Sequence, residues 1–236
     1  GDESYDLVVS ATDGTAADSE TITITITNVN DMSPTDMALS AASAAENAAA
    51  GTDIGTLSTT DGDASGNSHV YTLVTDSGGA TAYSGTNFAI ASNTAVLDVG
   101  SSPSFDYETT TQYTVYVKVA DGSNTAYVEA FTISITDVND EDPVWVTAAS
   151  QSVEENTRDV ATLSVTDGDA ADSNTATYAI TTNDNNLFEI DSSTLRFVAA
   201  AGANYESPGC GSSSPTTNTC TVIVRATDAH SHTADR

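Results

Sequence analysis

Apolar and polar residues alternate one by one along most of this chain. Ile22, Ile24 and Ile26 are interleaved with Thr21, Thr23, Thr25 and Thr27. Tyr113, Val115, Val117 and Val119 alternate with Thr114, Tyr116 and Lys118, and Phe131, Ile133 and Ile135 with Thr and Ser. Val222 and Val224 continue the pattern. A period of two puts successive side chains on opposite faces of a strand, and β-branched residues suit a pleated, half-buried surface. No segment sustains a helical period. Between residues 32 and 140 the pattern predicts strands near 37–42, 54–59, 70–74, 88–91, 95–99, 111–120 and 127–136. Seven short strands separated by Gly, Asn, Asp and Ser point to an antiparallel Greek-key β-sandwich, so the fold class is all-β. The Ala-rich stretch 38–50 imitates a helix in composition, but its Ser and Gly neighbours make it strand and loop.

The strands recur. Asp13, Asp121 and Asp228 are 108 and 107 residues apart; Asn30 and Asn139, Pro34 and Pro143, and Glu46 and Glu155 are each 109 apart. A period near 107 is too long for a helical solenoid and fits one small sandwich domain. The chain therefore divides into the last two strands of one repeat (1–31), a complete repeat (32–140) and a third lacking its last strand (141–236). It reads as a window on a tandem array. Residues 1–31 need a covering partner, expected from a longer chain, with strand exchange between subunits as the rival.

Charge changes the picture next. The chain holds 34 Asp and Glu against 5 Lys and Arg, a formal charge of −29. Polyanions would be repelled, so nucleic acid is excluded as a partner; divalent cations are favoured. No apolar run is long enough to span a membrane, and residues 1–31 contain no signal peptide, so a secretion signal and any anchor are expected elsewhere. Cys210 and Cys220 lie close together in the third repeat, which suits an oxidising compartment. Glu108 precedes Tyr113 by five residues, whereas Glu206 precedes Cys220 by fourteen. A disulfide between Cys210 and Cys220 is expected to pin this inserted loop to its strand. No Ser/His/Asp grouping, catalytic carboxylate pair or phosphate loop appears, so no enzyme is expected. His230 and His232 lack a third zinc ligand and read as a solvated strand end.

Acidic and amide residues sit in pairs and triplets between the strands. Calcium takes six to eight oxygens, and no single loop here supplies that many. Residues 137–145, D-V-N-D-E-D-P-V-W, resemble the linker between cadherin repeats, D-x-N-D-N-x-P-x-F, with Glu141 replacing the second Asn. V-E-E-N at 153–156 and A-E-N at 45–47 resemble the family's early E-N motif. D-G-D at 61–63 and 167–169 resembles D-x-D, with Asn67 and Asn174 nearby. F-D-Y-E at 105–108 resembles L-D-Y/R-E, and Asp121 and Asp228 occupy A-x-D. The resemblance covers nearly the whole chain.

That resemblance implies three calcium ions between the second and third repeats. Their ligands would be Glu46, Asp106 and Glu108, then Asp137, Asn139 and Asp140 with the carbonyls of Val138 and Glu141, then Asp167, Asp169 and Asp228. For the first joint it implies Asn30, Asp31, Asp61, Asp63 and Asp121, with Asn28 where the family has Asp. In the third repeat, Asn204-Tyr205-Glu206 has lost one carboxylate, which implies a weaker site. Trp145 is expected to pack onto the third repeat. The implied function is a calcium-rigidified extracellular adhesion array, an extender or filament shaft at a microbial cell surface. Its partners would be neighbouring repeats of the same or an adjacent chain, a homopolymer included. A carbohydrate-binding cadherin-like module is the alternative, although no exposed aromatic platform is evident.

Overall fold

A computed structural model describes residues 3–63, 68–92, 94–169, 175–200, 202–207, 209 and 219–236. The chain divides into two compact units, Gly1–Thr136 and Asp137–Arg236. Both are built of strands, and among the described residues no helix is long and apolar enough to cross a membrane.

The first unit opens with a hairpin, β1 (Glu3–Thr12) and β2 (Ala17–Ile26), paired antiparallel. Leu7 lies opposite Ile22 and Tyr5 opposite Ile24, so one face is apolar and the other carries Thr21, Thr23 and Thr25. Tyr5, Leu7, Ile22 and Ile24 are all exposed.

A sandwich follows, from β3 (Asp36–Leu39), β4 (Ser43–Ala45), β5 (Asp53–Thr60), β6 (Val70–Val74), β7 (Phe88–Ile90), β8 (Val96–Val99), β9 (Gln112–Ala120) and β10 (Tyr127–Thr136). One sheet runs β3-β5-β8-β7 and the other β4-β10-β9-β6. Their facing residues, among them Met37, Leu57, Leu97, Val117 and Ile133, form one core, closed at one end by Phe88, Phe105 and Tyr113. Leu97, Val117 and Ile133 are wholly buried. The alternation legible in the sequence therefore has its physical cause in two sheets sharing one dry interior.

The strand expected at 37–42 ends at Leu39, and a further short strand follows it at Ser43–Ala45. β3 pairs antiparallel with β5, and β4 pairs in parallel with β10 in the opposite sheet. The chain crosses between the sheets at residues 40–42, against Gly55 of β5. A Cβ at Gly55 would lie 2.4 Å from the Ala41 carbonyl oxygen, so no side chain fits there. The crossing matters because it delivers Glu46 to the end of the sandwich.

The second unit comprises β11 (Val144–Trp145), β12 (Asp159–Thr162), β13 (Val165–Thr166), β14 (Thr177–Asn183), β15 (Phe188–Asp191), β16 (Thr194–Phe197), β17 (Val222–Thr227) and β18 (Thr233–Asp235). They pair as β11-β13, β12-β16-β15 and β14-β17-β18. Leu163, Phe188, Leu195, Phe197 and Val224 form its core. Trp145 packs here as expected: its ring lies 5.6 Å from that of Tyr178, and its Nε1 donates to the Ala234 carbonyl at 3.2 Å. Residues 151–154 form no strand, unlike β4 of the first unit.

Candidate metal centre

The candidate ligands fall at the poles of the units, where strands end and backbone groups need partners. At the entry of the first sandwich, Met32 N–H donates to Asp63 Oδ2 at 3.0 Å, and Asp63 N–H to Asp61 Oδ1 at 3.1 Å. His69 Nε2 lies 3.2 Å from Asp61 Oδ2. Asp121 Oδ1 accepts the Ser123 and Asn124 amides at 2.9 and 2.8 Å. Those hydrogen bonds, from the Asn124 backbone first and then its side chain, hold the Asp121 carboxyl down at about 2. Asn124 Nδ2 also reaches Asn30 Oδ1 at 2.6 Å, and Asn30 Nδ2 donates to the Asp121 carbonyl at 3.2 Å. Asn30, Asp61, Asp63 and Asp121 are thus drawn together, while Asp31 is exposed.

The second unit repeats this arrangement. Glu141 N–H donates to Asp169 Oδ2 at 3.1 Å, matching Met32 and Asp63, and Asp169 N–H donates to Asp167 Oδ1 at 3.2 Å. Asp169 is buried; burial, with the Asp169 charge beside it, pushes the Asp167 carboxyl upward. Asp228 Oδ1 accepts the His230 and His232 amides at 2.9 and 2.8 Å. Burial opposes the charge on Asp228, but these N–H groups and the His232 ring outweigh it and hold the carboxyl low. His232 Nδ1 lies 2.8 Å from Asn139 Oδ1 and 3.0 Å from Asp228 Oδ2. Two oxygen partners require that nitrogen to carry a proton. His230 is exposed, as expected, but His232 is half-buried and engaged rather than solvated. Both lie in the turn before β18, and His232 does what Asn124 does in the first unit.

At the exit pole of the first unit, Glu46 is only 2% exposed. Its N–H donates to the Thr136 carbonyl at 3.1 Å, continuing the β4–β10 ladder, and its Oε2 accepts the Tyr107 amide at 2.6 Å. Asp106 accepts Thr109 N–H and Oγ1–H, each at 2.9 Å. The Glu46 and Glu108 carboxylates approach within 4.8 Å of one another. In the E-N motif, Asn47 and Asn156 have φ of 55° and 64°. Asn follows the glutamate because it enters the left-handed region more readily than most residues.

The linker residues belong to the second unit. Asp137 and Asn139 are half-buried, Val138, Asp140 and Glu141 exposed, and the carboxylates of Asp140 and Glu141 lie within 4.8 Å. At the far pole Glu155 is exposed, and Asn204 Oδ1 accepts the Glu206 amide at 3.0 Å. Asn67, Asn174 and Cys210 lie outside the described residues; Cys220 packs against the second core. Sequence reasoning missed Asn124 and His232. Asn124 had a local signal, three residues after an Asp in a turn, but its contact to Asn30 spans 94 residues.

The donor set fits a hard cation: carboxylate, amide and carbonyl oxygens with no thiolate. The basic side chains are engaged elsewhere. Lys118 holds Gly79, Arg158 and Arg196 hold Glu189, Arg225 holds Asp235, and Arg236 holds the Thr147 carbonyl.

The profile of the cadherin domain matches residues 40–136. Residues 40–136 are therefore cadherin-like. Among solved structures the chain resembles the human desmocollin-1 ectodomain, at 22% identity and TM-score 0.64 over 96% of this chain and 43% of that one. It resembles mouse cadherin-23 EC22-24 at 23% identity and TM-score 0.57, covering 98% of this chain and 71% of that one. The protocadherin GammaB4 extracellular domain matches at 20% identity and TM-score 0.58, over 98% of this chain and 37% of that one. At these identities the likeness establishes the fold, and the chain spans under two thirds of the protocadherin and desmocollin structures it matches.

Proposed function

We propose that this chain is part of an extracellular adhesion array stiffened by calcium, an extender or filament shaft at a microbial cell surface. The observation that carries the reading is the recurrence of one entry-pole geometry in both units: a linker amide closing onto the second Asp of D-G-D, beside the Asp of A-x-D. Calcium bound there would be held by Asn30, Asp31, Asp61, Asp63 and Asp121 in the first case. In the second it would be held by Asp137, Asn139, Asp140, Asp167, Asp169 and Asp228, the carbonyls of Val138 and Glu141, and the exit-pole acids Glu46, Asp106 and Glu108.

Eight of the second set are carboxylates, and three calcium ions carry six positive charges. Without metal those carboxylates repel, each pair at about 4 Å by about 1 kcal/mol even in bulk water. The sandwich cores contain none of these groups and close without the ions. Metal therefore governs the joint between repeats, and the repeats stay folded when it leaves. Isothermal calorimetry tests the assignment. Calcium binds the wild-type chain, and Asp140→Ala lowers affinity at least tenfold while the circular dichroism of the metal-free chain is unchanged. A wild-type chain that takes up no calcium at millimolar concentration contradicts the reading.

A Cys210–Cys220 disulfide belongs to the same extracellular reading. Peptide mapping without reductant recovers the two cysteines linked; two free thiols would refute it.

A further inference from the structure

One position in the sandwich carries opposite chemistry in the two units. In the second unit Arg196 of β16 lies between Asp159 of β12 and Glu189 of β15 in register. Its Nε is 2.8 Å from Glu189 Oε1, and Arg158 reaches the same oxygen at 2.9 Å. The corresponding strands of the first unit are β5, β8 and β7. There Asp98 of β8 lies between Asp53 of β5 and Ala89 of β7. An ion-pair network in one repeat is thus replaced by two like charges directly opposed in the other, a destabilising cross-strand arrangement when both are ionised.

Two features set this pair apart from ordinary surface acids. The register fixes both carboxylates, because a β-bulge between Asp53 and Gly55 seats Asp53 against Asp98. Asp98 is half-buried while Asp53 is exposed, so the two are unequal and one of them is the natural proton acceptor. Asp53 is the charged group that acts on Asp98, and the strand on the other side presents only Ala89.

We infer that Asp53 and Asp98 form a proton-responsive clasp between β5 and β8: mild acid joins them through one shared proton, and neutral pH drives them apart. No bond other than that O–H···O hydrogen bond forms; the proton comes from solvent and sits on Asp98. Burial first, then the Asp53 charge and its hydrogen bond, raise the Asp98 carboxyl above the ordinary aspartate range. The sign follows from linkage. A carboxyl raised in the folded state contributes stability that is fully present below the ordinary aspartate range. That contribution is lost as pH rises through the folded value of Asp98.

The full chain in chelator tests this, so that calcium uptake does not enter. Carboxyl-detected NMR follows Asp98 through its titration, and hydrogen exchange follows the β5 and β8 amides in wild type, Asp98→Asn and Asp53→Asn. Asp98 is expected to titrate above the ordinary aspartate range, and Asp53→Asn lowers its midpoint while leaving the part due to burial. Asp98→Asn raises amide protection several-fold at pH 7, and the gain disappears at pH 3. Asp98 titrating within or below the ordinary aspartate range overturns the inference, as does a protection ratio unchanged between the two pH values. If Asp98→Asn does not fold, the midpoint shift of Asp98 in Asp53→Asn decides alone.

Discussion

The E-N motif occurs twice in the described fold and does two different things. In the first unit Glu46 is buried and its carboxylate accepts the Tyr107 amide. In the second unit Glu155, 109 residues on, is exposed. The asparagines that follow are alike, both left-handed. What differs is the segment before the motif. β4 pairs in parallel with β10 and carries Glu46 onto the Thr136 carbonyl, whereas residues 151–154 form no strand. The crossing that creates β4 passes over Gly55, and the second unit has Ala161 at the matching bulge position. A ligand-type residue in a motif is therefore only half a site. The other half is the distant backbone that fixes its side chain.

Gly55→Ala breaks this comparison most severely. The added Cβ would meet the Ala41 carbonyl at 2.4 Å, so β4 must move and take Glu46 with it. Overpacking of this kind costs about 1–3 kcal/mol, to which the lost Glu46–Tyr107 contact adds. Denaturant unfolding in chelator measures the first effect, and calcium calorimetry is expected to show a second, weaker affinity. Unchanged values for both would mean that the crossing does not position Glu46.

Glu46→Ala sharpens the same contrast with a smaller effect. It strands the Tyr107 amide, at a cost of about 1–3 kcal/mol, and removes a proposed calcium ligand. Glu155→Ala, at an exposed position, should change stability by no more than about 0.5 kcal/mol. Equal losses from the two substitutions, measured by urea unfolding in chelator, would erase the distinction drawn between them.

Much of this was legible in the sequence. β5, β6, β8, β9 and β10 fall within a residue or two of where alternation put them, because each has one face on the core. Where the strand expected at 37–42 ends was not legible. Its run of Ala and Ser has no large residue to mark a change of face, and the reason for the crossing lies at Gly55 in another strand. The carboxylates were readable because their motifs recur in order. Asn124 and His232 were not, since their ring or amide closes onto Asn30 and Asn139 across 94 and 93 residues. Short-range pattern carries strand position well; it carries little about which side chains a fold brings together at a pole.

The central claim is that calcium holds the joint between repeats and not the repeats themselves. Small-angle X-ray scattering of the whole chain, in millimolar calcium and again in chelator, tests it most directly. The account predicts a larger and narrower distribution of maximum dimension in calcium, a broad one in chelator, and the same far-UV circular dichroism in both. An identical scattering profile in the two conditions would contradict it.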